Sequence, residues 1–166
     1  MNVVLWESTI RAYKEASAVT LHLDGVGGHL IMRIGLLNSC SQKPETLFWQ
    51  SRSVGSKTAK GTFESVVKAF DRKPMENLGS DFDFNEKEFF GKLVAVVGDG
   101  ARELGLSAKN PGRGENLLTY LTKRKEQLCG TGEANTCESL VGYWCSSHRV
   151  DLVCGKPEKK SNTFLT

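Results

Sequence analysis

Residues 93–97 are all apolar, and they constrain the fold more than any other segment of the chain. A strand with apolar side chains on both faces is typical of the centre of a sheet that helices cover on both sides. The 166 residues are enough for one domain of ordinary size. No apolar run approaches the roughly 20 residues that a membrane span needs. We therefore expect an α/β domain built around this strand.

Three strand patterns precede the apolar segment. Apolar and polar residues alternate over residues 19–24 and again over residues 30–34, with glycines between the two runs, which predicts a hairpin. Residues 46–50 are rich in strand-forming side chains and predict a third strand. The first half of the sheet is therefore expected to be antiparallel.

The apolar period then becomes helical. A repeat at i, i+3, i+4 and i+7 predicts a helix that begins near Thr58 or Thr62. Its members are Phe63, Val66, Val67 and Phe70. Residues 73–84 predict a polar loop, and a short helix is expected after Asp99. Further predictions are a leucine-rich helix from Leu117 to Leu128, a fifth strand over residues 140–144, and a last helix that begins at Ser147.

This element order predicts a ribonuclease-H-like α/β fold, with a five-stranded mixed sheet of order 3-2-1-4-5 and helices on both faces. Residues 1–17 are expected to form an N-terminal helix, residues 18–155 the domain, and residues 156–166 a flexible basic tail. In this order the first and fourth strands are neighbours, so Asp24 and Asp99 at their ends would face each other. Two such carboxylates can bind Mg²⁺ or Mn²⁺, although Asp-Gly is also a common turn dipeptide.

Net charge and cysteine content say less about the function than the strand and helix patterns do. A net charge of +3 is too small to identify a polyanionic partner. The basic run Lys123, Arg124 and Lys125 fits either a solvated helix face or a contact with nucleic acid. Five cysteines without a secretory segment favour reduced thiols, and hence an intracellular protein of the nucleus or cytoplasm.

A zinc site is a further alternative. Its ligands would be Cys137, Cys145, His148 and Cys154, but they lack the paired C-x₂-C spacing of structural zinc sites. The other reading of these cysteines is burial as small apolar side chains. His22 and His29 are interpreted as sheet or turn residues, and Trp49 and Trp144 as core aromatics.

Four blocks of the sequence resemble the catalytic domain of hAT-type transposases. One block is the apolar strand that ends in Gly98-Asp99-Gly100-Ala101, followed by the leucine-rich helix. Another is Cys145-Ser-Ser-His148-Arg149-Val-Asp-Leu152, which is similar to the family's Cys-x-x-His-Arg-x-x-Leu element. Residues 21–25 resemble its first catalytic strand, and residues 56–63 resemble the stretch before its first helix. The resemblance extends from about residue 18 to residue 155.

The resemblance implies that Asp24 and Asp99 are the first two acids of a DDE-type triad, and that His148 and Arg149 contact DNA beside them. Two features depart from the family: Val-Gly-Gly follows Asp24-Gly25, and no DNA-binding finger precedes the domain. The family's third acid lies beyond a helical insertion, whereas this sequence ends at Thr166. We therefore expect an incomplete triad and weak DNA binding without sequence specificity.

Two other functions stay open at this point. One is a structural or protein-interaction module that kept the fold and lost the DNA chemistry. The other is a small nuclease in which Asp151 or Glu103 supplies the missing acid.

Overall fold

The computed structural model describes residues 3–26, 28–38, 44–55, 58–71, 85–98, 116–130 and 140–145. Within these ranges the chain forms an α/β structure with four helices and five strands. In chain order the elements are α1 Val3–Glu15, β1 Ala16–Val26, β2 His29–Asn38, β3 Pro44–Ser53, α2 Ala59–Val67, α3 Glu86–Lys92, β4 Leu93–Gly98, α4 Leu117–Cys129 and β5 Val141–Trp144. Among these helices, none is long and apolar enough to cross a membrane.

The five strands form one mixed sheet in the order β3-β2-β1-β4-β5. β1 pairs antiparallel with β2, and β2 pairs antiparallel with β3. β4 lies parallel to both β1 and β5. The predicted sheet order 3-2-1-4-5 is therefore confirmed.

One face of the sheet carries the hydrophobic core. Leu21 of β1, Met32 of β2 and Val96 of β4 are at most 2% exposed, and side chains from all four helices pack in the same cluster. The ring of Trp49 lies 5.3 Å from that of Phe89, and both side chains are fully buried. The prediction that Trp49 is a core aromatic is therefore confirmed.

The opposite face of the sheet, which we call the open face, carries Thr20, His22 and Asp24 of β1. Its side chains include Phe48 on β3, which is 50% exposed, and Tyr143 on β5, which is 56% exposed. The helix predicted from Ser147 lies outside the described residues, as does the helix predicted after Asp99. The prediction that helices cover both faces of the sheet is therefore not tested by the described residues.

The β1–β2 hairpin is longer than the alternation predicted. Val26 pairs with His29, so β1 continues two residues beyond Asp24. Gly28 has φ of +83°, a conformation that glycine adopts without the steric cost that a Cβ brings. Asp24 therefore lies within β1 rather than at its end.

Helix α3 was not predicted. Its seven residues are too few to show a helical period. The signal that was present is the N-cap, where the Asn85 side chain accepts a hydrogen bond of 3.1 Å from the backbone N–H of Glu88. The predicted cap Thr58 of α2 is confirmed in the same way, by a bond of 3.1 Å from the N–H of Gly61.

Lys92, at the end of α3, fixes the start of β1. Its ammonium group donates hydrogen bonds to the carbonyl oxygens of Tyr13 at 3.2 Å and Lys14 at 3.0 Å. These carbonyls belong to the last turn of α1, where a cation is favourable because the helix dipole is negative there. The junction between α1 and β1 is thereby attached to α3.

Candidate functional site

The register of the parallel strands positions the candidate site. Leu23 of β1 and Gly98 of β4 form the last pair of the ladder between these two strands. Asp24 follows the first of them in the sequence, and Asp99 follows the second. On the other side of β4, the backbone N–H of Cys145 donates a hydrogen bond of 2.7 Å to the carbonyl of Gly98. The three strands therefore reach the same level at this end of the sheet.

Of the two predicted acids, Asp24 lies within the residues that the structure describes. Its side chain is exposed on the open face, and its backbone is opposite Ile31 of β2. Carboxylate oxygens are the ligands that Mg²⁺ and Mn²⁺ prefer. Within the described ranges, however, no group of three or more His, Cys, Asp and Glu side chains is placed to hold an ion. A metal site here would therefore depend on Asp99, which lies outside them.

His22, two residues before Asp24, is held in the sheet by a polar contact. Its Nε2 lies 2.9 Å from the hydroxyl oxygen of Thr20. Burial lowers the pKa of His22, and the neighbouring Arg33 lowers it further. This pair lies over Gly35 of β2, where an added Cβ would come within 2.9 Å of His22 Nε2. The arrangement agrees with the interpretation of His22 as a sheet residue.

The predicted basic run divides into three environments. Lys123 is exposed. Arg124 binds both carboxylate oxygens of Glu86, at 2.8 and 2.9 Å. Lys125 is only 5% exposed, and its ammonium group donates a hydrogen bond of 2.8 Å to the carbonyl of Leu93.

These environments correct the expected role of the run. Lys125 is not placed to contact DNA, because its charge lies inside the protein on a backbone acceptor. Arg124 already has a carboxylate partner, so a phosphate would have to compete with Glu86. Lys123 is the exposed member of the run.

Several predicted residues lie outside the described ranges, so their predictions stay open. They are Asp99, Glu103, Cys137, His148, Arg149, Asp151 and Cys154. Of the predicted zinc ligands, Cys145 is described, and it has a half-buried free thiol.

The sequence reasoning missed a cleft of about 330 Å³ between the end of β3 and α2. Its polar lining includes Arg52 and Ser53 of β3, and Gly61, Glu64, Ser65 and Lys68 on or next to α2. The helical residues recur at i, i+3, i+4 and i+7, so their shared face could be read from the sequence. The approach of Arg52 to that face could not.

Comparisons with protein-family models, curated proteins and solved structures find no match to this chain.

Proposed function

We propose that this chain is a ribonuclease-H-like domain derived from an hAT-type transposase, which binds nucleic acid and a divalent cation but does not cleave DNA. The observation that supports the proposal is the parallel pairing of Leu23 with Gly98 in a sheet of order 3-2-1-4-5. In the sequence, the two acids implied by the resemblance directly follow these two paired residues.

The chemistry proposed for this position is cation binding by two carboxylates. Neighbouring strands lie about 4.8 Å apart, so side chains at the same level can share one ion. Asp24 and Asp99 would be its protein ligands, and Mg²⁺ or Mn²⁺ would keep several waters. Two acids alone do not build the pair of metal sites that phosphodiester cleavage uses.

Nucleic-acid binding would be weak and electrostatic. Lys123 on α4 and Arg33 on the open face are exposed cations, and the resemblance adds His148 and Arg149. Contacts of this kind neutralise phosphates without reading bases, so the expected affinity is insensitive to sequence and falls steeply with salt.

The proposed cation binding is tested by thermal unfolding in the presence of Mg²⁺ or Mn²⁺. A ligand that binds only the folded chain stabilises it by about 2.7 kcal/mol at 100 times its dissociation constant. We expect the melting temperature to rise for the native chain, and this rise to disappear in Asp24→Asn and in Asp99→Asn. Asp71→Asn is the control, because it changes an exposed carboxylate four residues after the end of α2. In this variant the rise in melting temperature should remain. A rise of the same size in all three variants would contradict the proposed site.

The proposed nucleic-acid binding is tested by fluorescence anisotropy with two DNA duplexes of different sequence. We expect equal affinities and a slope of log K against log salt of about −0.9 for each phosphate contact. Lys123→Gln should reduce the size of this slope by about 0.9.

The alternative is a protein-interaction module. The observation that favours it is the exposure of Phe48 and Tyr143 on the open face, because exposed aromatic side chains are typical of interaction surfaces. No detectable affinity for DNA at low salt would favour this alternative.

A further inference from the structure

The cleft between β3 and α2 contains more positive than negative charge. Arg52 and Lys68 contribute two cations and Glu64 one anion, which gives a net charge of +1. Neither cation takes part in the ion pairs that the described residues form. Arg52 is half-buried, and none of the ion pairs among the described residues gives it a carboxylate partner. A bound anion would supply that partner.

Hydroxyl and backbone groups line the rest of this cleft. Ser53 is exposed at the end of β3, and Ser65 of α2 donates its hydroxyl hydrogen to the carbonyl of Gly61 at 2.9 Å. The backbone N–H of Gly61 is already bound by Thr58. The cations, rather than the start of the helix, would therefore bind the anion.

The size of the cleft indicates which anion fits. About 330 Å³ is near the lower end of the roughly 300–1,000 Å³ that small-ligand sites occupy. A lone oxyanion would leave most of this volume empty, whereas a phosphate with its attached sugar would fill more of it. Guanidinium and phosphate also match in geometry, because both can form two parallel hydrogen bonds.

The cleft lies at the same end of the sheet as Asp24 but on the face that α2 covers, whereas the Asp24 side chain lies on the open face. Arg52 is opposite Leu30 of β2, and Leu30 is opposite Gly25 of β1. Two strand spacings separate Arg52 from Gly25, which is about 10 Å. This distance equals the rise of about three nucleotides of one strand of a duplex.

We propose that this cleft binds the phosphate group of a nucleotide unit, with Arg52 and Lys68 as its cationic contacts. The ligand is either a nucleotide of a nucleic-acid strand that crosses this end of the sheet or a free mononucleotide. The first source rests on the proposed function, and the second is independent of it.

The test measures the binding of three probes to the full chain: inorganic phosphate, adenosine monophosphate, and a labelled oligothymidine of about 12 nucleotides. The test variant is the double substitution Arg52→Gln/Lys68→Gln. The control is Arg11→Gln/Lys87→Gln, which removes the same charges from exposed positions on α1 and α3. A third variant, Glu64→Gln, removes the acid from the cleft.

We expect the Arg52/Lys68 variant to bind the oligonucleotide or the mononucleotide at least about tenfold more weakly, because charge-assisted hydrogen bonds are lost. The control should stay within about threefold of the native chain. Glu64→Gln should bind about twofold to fivefold more tightly, since it removes repulsion, and a misfolded variant would not show such a gain.

The probes separate the two sources. Loss of oligonucleotide binding alone assigns the cleft to a nucleic-acid strand. Binding of the mononucleotide by a chain that does not bind the oligonucleotide supports the cleft while the proposed nucleic-acid function fails. Equal losses in the cleft variant and the control, or no binding of any probe by the native chain, would overturn the proposal.

Discussion

The ammonium group of Lys125 lies 2.8 Å from the carbonyl oxygen of Leu93, the first residue of β4. Lys125 is 5% exposed, so its amine has left most of its hydration shell. Transfer of a polar group out of water is costly unless a hydrogen bond replaces the lost water. This bond therefore attaches α4 to the start of β4, a strand in the interior of the sheet.

We expect Lys125→Met to destabilise the protein by about 1–3 kcal/mol, because the buried carbonyl of Leu93 loses this donor. Lys123→Met is the matched control, since it makes the same chemical change at an exposed position of the same helix, and it should stay within about 0.5 kcal/mol. Urea unfolding of both variants measures the difference. Equal free energies of unfolding would show that the hydrogen bond contributes nothing net.

A second prediction compares two phenylalanines in different environments. Phe89 is fully buried and packs against the rings of Trp49 and Phe70, whereas Phe48 is 50% exposed on the open face. Phe89→Ala should lower the free energy of unfolding by about 3–5 kcal/mol, because it leaves a cavity in the core. Phe48→Ala should cost less than about 1 kcal/mol. Chemical denaturation of both variants tests the assignment of the two faces, and a larger loss at Phe48 would contradict it.

A third prediction concerns stability against pH. Burial, and then Arg33, lower the folded-state pKa of His22 below its usual 6.5, so the unfolded chain takes up this proton first as the pH falls. Stability contributed by the neutral ring is complete above about pH 7.5. It declines through pH 6.5 towards the lower folded-state pKa, by at most about 1.4 kcal/mol per pH unit.

Unfolding in urea between pH 7.5 and pH 5 measures this slope. His22→Gln should reduce it, and Arg33→Gln should reduce it in part. His29→Gln, at an exposed position at the start of β2, serves as the control and should keep it. An unchanged slope in His22→Gln would assign the pH dependence to other groups.

The fourth prediction is that the 166-residue chain does not cleave DNA with Mg²⁺ or Mn²⁺. Catalytic ligands must be held within about half an ångström of productive geometry by packed neighbours. Asp24 is exposed on the open face, so packed neighbours do not hold its carboxylate in this way. A plasmid-nicking assay compares the native chain with Asp24→Asn and Asp99→Asn. Metal-dependent nicking that both substitutions abolish would favour the small-nuclease alternative.

The sheet could be predicted from the sequence because its signals are local. Alternation identified β1 and β2, and the apolar residues 93–97 identified β4, a strand in the interior of the sheet. The strand order makes β1 and β4 neighbours, but it does not fix their register, which shifts between Val19 and Thr20. The predicted end of β1 was wrong. Gly25 was interpreted as the start of the turn, although it pairs with Leu30 in the β1–β2 ladder.

The basic run was misinterpreted for a physical reason. A run of three charges was read as one surface, but a helix directs consecutive residues to different sides. Leu117, Leu121 and Lys125 are spaced four apart on α4, and all three are buried. The helical period therefore predicts that Lys125 lies on the buried face of α4. The Arg52–Lys68 cleft had no comparable local signal, because it depends on how β3 approaches α2.

The two lysine contacts at the strand starts imply a gradient of local unfolding along the sheet. Lys92 attaches the carbonyls just before β1 to α3, and Lys125 attaches the first carbonyl of β4 to α4. Segments with such tertiary anchors exchange their amide hydrogens only in large-scale openings, whereas exposed ends open at lower free-energy cost. We therefore expect the ends of β1 and β4 near Asp24 to open at lower free-energy cost than their starts, while the anchored starts preserve the register of both strands.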